Sequence, residues 1–237
     1  MGLVDIYIAS LWRGGHVIKT LQSLLKCPEF ASALVVCNNY TDEQIEYVAK
    51  SLNYDLRISL VKGDNKKGCS EKFKFINTGS AKYIGIIDDD LTVDNKYLSR
   101  LIKAADKYNA IVSYHGKTLK KDKATNYHSH RSEFYHCRHD VIGDHFVDII
   151  GSGVCLFKRT LFPNIGKIYE SIKFSNMSDI YLSAYAMLRG VNRIVIAHSA
   201  GCVKAKIKEE GDNYIFDERR NNCEIETQFI NKIFLGY

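Results

Sequence analysis

The first half of the chain alternates between short apolar runs and longer segments whose apolar residues recur every three or four positions. Apolar runs bounded by polar residues are typical of buried strands, and the longer period is typical of helices with one apolar face. The runs predict strands at residues 4–10, 33–37, 56–61, 83–87 and 110–114. Strands that alternate with helices predict an α/β fold with a mostly parallel central sheet, covered by helices on both faces.

Helices are predicted between these strands at residues 16–26, 41–52, 70–78 and 94–108. The second begins with Thr41-x-x-Gln44, which has the form of a capping box. Asp94 is the predicted cap of the fourth. In a sheet of this kind ligands bind at the carboxyl ends of the strands, where Ser10, Asn38 and the run 88–90 fall.

The second half has a weaker pattern. Residues 115–147 carry six of the eight histidines and predict long polar loops or a hairpin. Apolar runs over 146–158 are broken by Gly151-Ser152-Gly153, and a helix at 179–189 and a strand at 192–197 follow. The charged tail from Lys204 ends in a partly apolar helix, and we expect this tail to be a lid ordered by ligand. Two prolines and no linker predict one domain over 1–237, with a first half at 1–114 and a second at 115–237.

Composition narrows the classes of function. A net charge of +6 suits anionic substrates such as nucleoside diphosphates but is too small to indicate nucleic acid binding. No run reaches the roughly 18 apolar residues that would suggest a membrane span. The chain opens directly on a strand-like run, so we expect no signal peptide. Seven scattered cysteines without a CxxC pair favour free thiols in a reducing compartment, which predicts a cytoplasmic protein.

Asp88, Asp89 and Asp90 directly follow a buried apolar run. Burying carboxylates is costly unless a cation or a hydrogen-bond donor meets them, so we expect them at an open edge of the sheet. Hard oxygen ligands suit Mg²⁺ or Mn²⁺, and such ions commonly hold phosphate as well. The structural alternative is an acidic turn that caps the next helix.

The order of motifs resembles that of glycosyltransferases of the GT-A fold, particularly family 2, with a weaker likeness to the exostosin C-terminal transferase domain. The segments that carry the resemblance lie within residues 4–198: Ala9-Ser10-Leu11-Trp12-Arg13, Val35-Val36-Cys37-Asn38-Asn39, Asn65-Lys66-Lys67-Gly68, the three aspartates, and Gly151-Ser152-Gly153 followed by Met177-Ser178-Asp179. The resemblance implies a GT-A domain that moves a sugar from a nucleotide-sugar donor, with UDP as the expected nucleotide, to a glycan or glycoconjugate acceptor.

The resemblance also implies a divalent cofactor, Mn²⁺ or Mg²⁺, on the diphosphate. Asp90 would be the direct metal ligand, with Asp88 assisting from the ribose or sugar side. Asp89 would face the donor sugar or be structural. His198, just after the last predicted strand, matches the position of a further metal ligand; its alternative is an ordinary core or surface histidine. The histidines of residues 115–147 are the rival candidates for that metal role.

Asp179 matches the acidic residue that serves as general base in inverting members of the family. The family usually has Glu-Asp here, whereas this chain has Ser178-Asp179. The alternative is a carboxylate that satisfies the start of a helix. Inversion is the favoured stereochemistry and retention stays open, because exostosin-like enzymes place an acidic residue nearby for another role.

Donor contacts are assigned by position in the family pattern, with solvated surface charge as the alternative for each lysine, including Lys66 and Lys67. A strand bulge is the alternative for the two glycines. The predicted donor-binding residues are Ser10, Arg13, Asn38, Asn39, Asn65, Lys72, Asp88, Asp89, Gly151, Ser152 and Gly153.

Two other classes of protein remain open. Asp88 to Thr92 fits the nucleophile motif of haloacid dehalogenase phosphatases, and the run 143–148 resembles their metal motif, but that nucleophile strand normally opens its domain. A non-catalytic nucleotide- or glycan-binding relative is the second. A zinc site at His136-Cys137-x-His139 is not predicted, because the spacing is cramped and a fourth ligand is not evident. The oligomeric state is not predicted.

Overall fold

The computed structural model describes residues 2–13, 15–205 and 223–237. Four strands form the first part of a central sheet: β1 Val4–Leu11, β2 Phe30–Asn38, β3 Ile58–Gly63 and β4 Tyr83–Ile87. They lie in the order β3-β2-β1-β4 and all run parallel. The carboxyl ends of these strands therefore share one edge of the sheet, as predicted.

Helices connect these strands: α1 His16–Leu24, α2 Asp42–Ser51, a 3₁₀ helix at Gly68–Phe75, and α3 Tyr97–Tyr108. Thr41 and Gln44 form the predicted capping box of α2. The predicted cap of α3 is wrong. The Asp94 carboxylate accepts the backbone N–H of Lys96 and pairs with Arg100, closing a turn before the helix begins.

The remaining strands are short: β5 Leu91–Val93, β6 Ile111–Ser113, β7 Gly116–Thr118, β8 Glu133–Tyr135, β9 His145–Phe146, β10 Ile149–Ile150, β11 Val154–Lys158, β12 Arg193–Val195 and β13 Val203–Ala205. The central sheet continues as β4-β11-β6-β12-β9, and β11 runs antiparallel to both of its neighbours. A three-stranded sheet, β10-β7-β8, contains the predicted hairpin, and β13 pairs with β5.

The last helical elements are a 3₁₀ turn at Arg159–Leu161, α4 Lys167–Ser171, α5 Ser178–Met187 and α6 Glu224–Ile230, which continues as a π-helix at Asn231–Leu235. The helix predicted at the end of the tail is thus present. The rest of the expected lid, residues 206–222, lies outside the described residues. None of the helices in the described part of the chain is both long and apolar enough to cross a bilayer.

Two apolar clusters cover the two faces of the central sheet. Along β1 the side chains alternate between them, with Ile6 and Ile8 in one cluster and Tyr7 in the other. Helices α1 and α3 close the first cluster, and Phe157 on β11 lies in the second. Burying a large aliphatic or aromatic side chain contributes about 1.5–3 kcal/mol, so both faces hold the strand ends in place.

Candidate active site

The backbone of the aspartate run is tied to β11. The Asp88 amide donates to the carbonyl of Gly153 at 2.9 Å, just beyond the antiparallel pairing of β4 and β11. The Asp88 side chain is 49% exposed, and its Oδ1 lies 3.2 Å from Nζ of Lys72, which is 1% exposed. Asp88 therefore presents a carboxylate at the open edge of the sheet, and the buried ammonium of Lys72 contacts this carboxylate from the protein interior.

Asp89 turns inward and joins β4 to β1 and α1. Its Oδ2 accepts the hydroxyl of Ser10 at 2.6 Å, and its Oδ1 accepts the guanidinium of Arg13. The carbonyl of Asp89 accepts the Thr20 hydroxyl at 2.8 Å, and Ser10 also lies 2.6 Å from the Tyr40 hydroxyl. This carboxylate is fully engaged in holding the edge together, which favours the structural alternative for Asp89.

Asp90 lies in a field of negative charge. Burial, and then the carboxylates of Asp88 and Asp89, raise the pKa of Asp90 to about 7, although Arg13, with a nitrogen 3.7 Å from Asp90 Oδ2, opposes the shift. Burial and two negative neighbours thus oppose the charge of Asp90, and a bound cation would offset both. The exposed carboxylate of Asp88 and the carboxylate of Asp90 offer hard oxygens of the kind that suits Mn²⁺ or Mg²⁺.

His198 is placed differently from the two aspartates. It is buried, its Nδ1 lies 2.7 Å from the carbonyl of Ile196, and its Nε2 lies 3.4 Å from the carbonyl of His136. Its ring packs edge-on against Tyr114. A metal role for His198 requires the ring to give up one of these carbonyls, so that role stays a prediction.

Asp179 lies in the first turn of α5, but its carboxylate does not cap the helix. Its Oδ1 accepts the backbone N–H of Ser152 at 2.8 Å and the Ser152 hydroxyl at 2.6 Å. The Ser178 hydroxyl lies 2.8 Å from that same Ser152 oxygen. Burial raises the pKa of Asp179, and the two hydrogen bonds from Ser152 oppose the shift. The charge of Asp88 also raises this pKa, so the two carboxylates interact across the site.

Each residue of the Gly-Ser-Gly segment has its own neighbour. A Cβ on Gly153 would lie 2.0 Å from Oδ2 of Asp88, and one on Gly151 would lie 2.7 Å from Cβ of His115. Ser152, between them, holds Asp179. The two glycines thus leave room for His115 and for the Asp88 carboxylate on either side of Ser152, which orients Asp179. Their role goes beyond that of a strand bulge.

Lys72 interacts with both carboxylates across the site. Burial opposes its charge, yet Asp88, the Cys69 thiol and Asp179 together raise the pKa of Lys72. Its nearest anion is Asp88. A buried ammonium here provides positive charge to two neighbouring carboxylates, a role that its sequence position alone did not indicate.

The ends of β2 and β3 bring together the residues predicted to bind the nucleotide. Asn38 is buried; its Nδ2 lies 3.4 Å from the carbonyl of Gly68, and its Oδ1 makes no hydrogen bond to a described residue. A Cβ on Gly63 would lie 2.3 Å from that Oδ1. Asn39 and Asn65 both have positive φ, which marks them as turn residues.

The loop lysines have structural partners. Lys66 forms an ion pair with Asp64 on the surface. This pair favours the alternative given for Lys66, a solvated surface charge. Lys67 donates to the carbonyl of Tyr169 and stacks over its ring at 4.0 Å. Sequence reasoning missed Thr20 and Tyr40, and it did not single out His115 among the histidines of 115–147, because only the folded chain brings these residues to this edge.

The fold and this edge together define a GT-A domain with an acidic site at the strand ends. The sequence model described as "Glycosyl transferase family 2" matches residues 8–166, which is more than half of the chain. The chain therefore belongs to glycosyltransferase family 2. Because the match includes the strands before the aspartates, it favours the glycosyltransferase over the phosphatase interpretation.

A solved structure agrees with this assignment at the level of the fold. The crystal structure of S. aureus TarS superposes with a TM-score of 0.56 at 15% identity, covering 87% of this chain and 37% of that chain. This chain therefore spans about a third of the length of TarS, and the likeness shows the fold alone. No curated protein matches the sequence significantly.

Proposed function

We propose that the chain is a metal-dependent, inverting glycosyltransferase that moves a sugar from a nucleotide-sugar to a hydroxyl of a glycan or glycoconjugate, with Asp179 as general base. The observation that carries the proposal is the short segment Gly151–Gly153. Ser152 holds Asp179, and Gly153 holds the backbone of Asp88. The candidate base, Asp179, and the candidate metal ligand, Asp88, are thus both held by adjacent residues of this segment.

Asp88 and Asp90 would hold the Mn²⁺ or Mg²⁺ that the family commonly uses. When bound, the ion supplies positive charge for the diphosphate as its bond to the sugar breaks. The raised pKa of Asp90 supports this assignment, because a bound cation would offset the burial and the negative neighbours that oppose the charge of this carboxylate. Lys72 would keep the Asp88 carboxylate oriented.

Asp179 would accept the proton of the acceptor hydroxyl. The acceptor oxygen would form its bond to the anomeric carbon while the bond from that carbon to the nucleoside diphosphate breaks on the opposite side, which inverts the configuration. Burial makes Asp179 a stronger base than an exposed aspartate, and the hydrogen bonds from Ser152 fix its orientation.

We further propose that residues 1–114 bind the donor and residues 115–237 the acceptor. UDP is the proposed nucleotide. Asn38, at the end of β2, has an amide oxygen that no described residue hydrogen-bonds, and this oxygen would accept the ring N–H of uracil. All seven cysteines are free thiols, which supports a reducing, cytoplasmic setting.

The test is a screen of nucleotide-sugars with Mn²⁺ or Mg²⁺, in which release of nucleoside diphosphate is followed with and without glycan acceptors. We expect slow hydrolysis of one UDP-sugar and faster release with an acceptor whose product has the inverted configuration by NMR. Tight nucleotide binding without turnover of any donor would identify a non-catalytic relative. A retained configuration would exclude Asp179 as the base in this mechanism.

A further inference from the structure

A second cluster of metal-binding side chains lies beside the edge just described. His115 follows β6, and His136 and Cys137 follow β8, more than 20 residues later. The hairpin of β7 and β8 brings the two segments together. A ring nitrogen of each histidine and the thiol sulfur all lie within 4.8 Å of one another.

The spacing is close to that of a metal site. With Zn–N near 2.0–2.1 Å and Zn–S near 2.3 Å, two nitrogens and a sulfur in a tetrahedral site lie roughly 3.3–3.6 Å apart. Side-chain movements of about 1 Å would therefore bring all three ligand atoms within bonding distance of one ion. The rings of His115 and His136 have centroids 5.0 Å apart, and both are partly exposed, whereas Cys137 is buried.

The surroundings leave the ligands available. Neither ring nitrogen of His115 forms a hydrogen bond within the described ranges, and the room for this ring exists because residue 151 is glycine. Nδ1 of His136 accepts the backbone N–H of Arg138 at 3.2 Å. A cation bound through Nδ1 would replace this long hydrogen bond. Lys117, Arg138 and Arg131 act on His115 with positive charge and Asp88 with negative charge, so a cation bound here would meet charges of both signs, most of them positive.

We infer that His115, His136 and Cys137 bind a zinc-class cation, with water in the fourth position. Two imidazoles and a thiolate select a soft or borderline ion such as Zn²⁺, whereas the carboxylates of Asp88 and Asp90 suit hard ions. Binding would release the thiol proton of Cys137 to solvent and tie the end of β6 to the end of β8. This assignment stands independently of the proposed function.

The experiment is a titration of the metal-free full chain with Co²⁺, followed by displacement with Zn²⁺. We expect one equivalent to give visible bands of four-coordinate cobalt together with a near-ultraviolet thiolate-to-cobalt band, and Zn²⁺ to abolish both. Cys137→Ser should lose the thiolate band, and His115→Gln should weaken binding at least tenfold. Cys202→Ser, at a partly exposed thiol outside the cluster, is the matched control and should behave as the parent chain.

Two results would overturn the inference: absence of the thiolate band, or a band that survives in Cys137→Ser. Circular dichroism checks that each variant is folded. Asp90→Asn distinguishes this cluster from the site proposed for Mn²⁺ or Mg²⁺ at Asp88 and Asp90. The variant should keep the thiolate band, because Asp90 is not a ligand in the cluster. Loss of that band in folded Asp90→Asn would mean that the thiolate binds cobalt only together with Asp90, and it would count against a separate site at the cluster.

Discussion

The two halves of the molecule build their sites by different means. In the first half, long parallel strands buried on both faces end at one edge, and the candidate donor-side residues lie at or just after these ends. In the second half most strands have two or three residues, apart from β11. There the candidate base depends on a long-range side-chain contact, from Ser152 to Asp179. Regular strands bring the first group of residues to one edge, where side chains such as Lys72 and Ser10 orient them, whereas the second half relies more on single long-range contacts.

Asp90→Asn tests the first half and should have the largest effect. Removing one carboxylate of the hard-oxygen pair should abolish transfer and the metal-dependent part of nucleoside diphosphate binding, as measured by turnover and by calorimetry with and without Mn²⁺. Asp64→Asn, at an exposed loop aspartate paired with Lys66, is the control and should leave both unchanged. Full turnover in Asp90→Asn would contradict the assignment.

Asp179→Asn makes the matching test in the second half. Loss of a general base should lower turnover by roughly 10²–10⁴-fold, with little change in donor affinity. Steady-state kinetics and donor binding by calorimetry measure the two separately. If donor binding falls together with turnover, Asp179 belongs to the donor site, and the contrast between the halves disappears.

Gly153→Ala probes the point where the halves meet. A Cβ there would overlap Oδ2 of Asp88, so this carboxylate must move. A displacement of about 1 Å can cost on the order of 10²-fold in rate, and we expect up to that loss in a folded enzyme. Gly166→Ala is the control, because its Cβ meets chiefly the flexible amide of Asn77. Comparable turnover in the two variants would show that Asp88 does not need its present position.

Ser152→Ala should have a smaller effect, on the pH dependence of the rate. The hydrogen bonds from Ser152 lower the pKa of Asp179, so loss of the hydroxyl should raise that pKa. A base acts when it is deprotonated, so the acidic limb of the plot of kcat against pH should move to higher pH. At pH values below this limb, kcat should fall about tenfold relative to the parent chain. Ser152→Thr should restore the parent profile. An unmoved limb in both variants would mean that another group titrates.

The main effect of Lys117→Met should be on stability. Burial lowers the pKa of Lys117 to about 7 from its ordinary 10.5, so the unfolded chain binds more protons between these values and the parent gains stability as pH rises through this window. The variant lacks this dependence. We expect it to be more stable by about 2 kcal/mol near pH 7, after loss of the hydrogen bond to the Tyr127 carbonyl, and to lose the advantage toward pH 10.

Urea unfolding at several pH values measures this difference. Lys121→Met, at an exposed position in the same segment, should change stability by less than about 0.5 kcal/mol at any pH. A constant difference between Lys117→Met and the parent chain across the window would show that Lys117 keeps its ordinary pKa.

The sequence predicted the first half well because local signals determine it. The apolar runs located β1 to β4, and Thr41 with Gln44 marked the start of α2. The direction of β11 could not be read in the same way, since an apolar run looks alike in parallel and antiparallel strands. The start of α3 was missed because the Asp94 side chain has two uses, as a cap and as a turn residue.

For the site, the sequence identified residue types but not their partners. Asp179 and Ser152 were both named, yet their hydrogen bond spans 27 positions and leaves no local pattern. His115 was one of several histidines considered as metal ligands, and the sequence did not single it out because His136 and Cys137 lie more than 20 positions further along the chain. Contacts of this range follow from strand pairing, which a single sequence does not specify.

β11 has a further consequence for recombination between relatives. By sequence it belongs to the second half, but by hydrogen bonding it is the next strand after β4, with Val154 opposite Ile87 and Gly153 against Asp88. Residues 1–114 and 115–237 therefore cannot be exchanged between relatives as independent units. A chimera that takes residues 1–114 from this chain must receive a strand with glycine in register with Asp88, and inserting one residue before Val154 would present a side chain to that carboxylate.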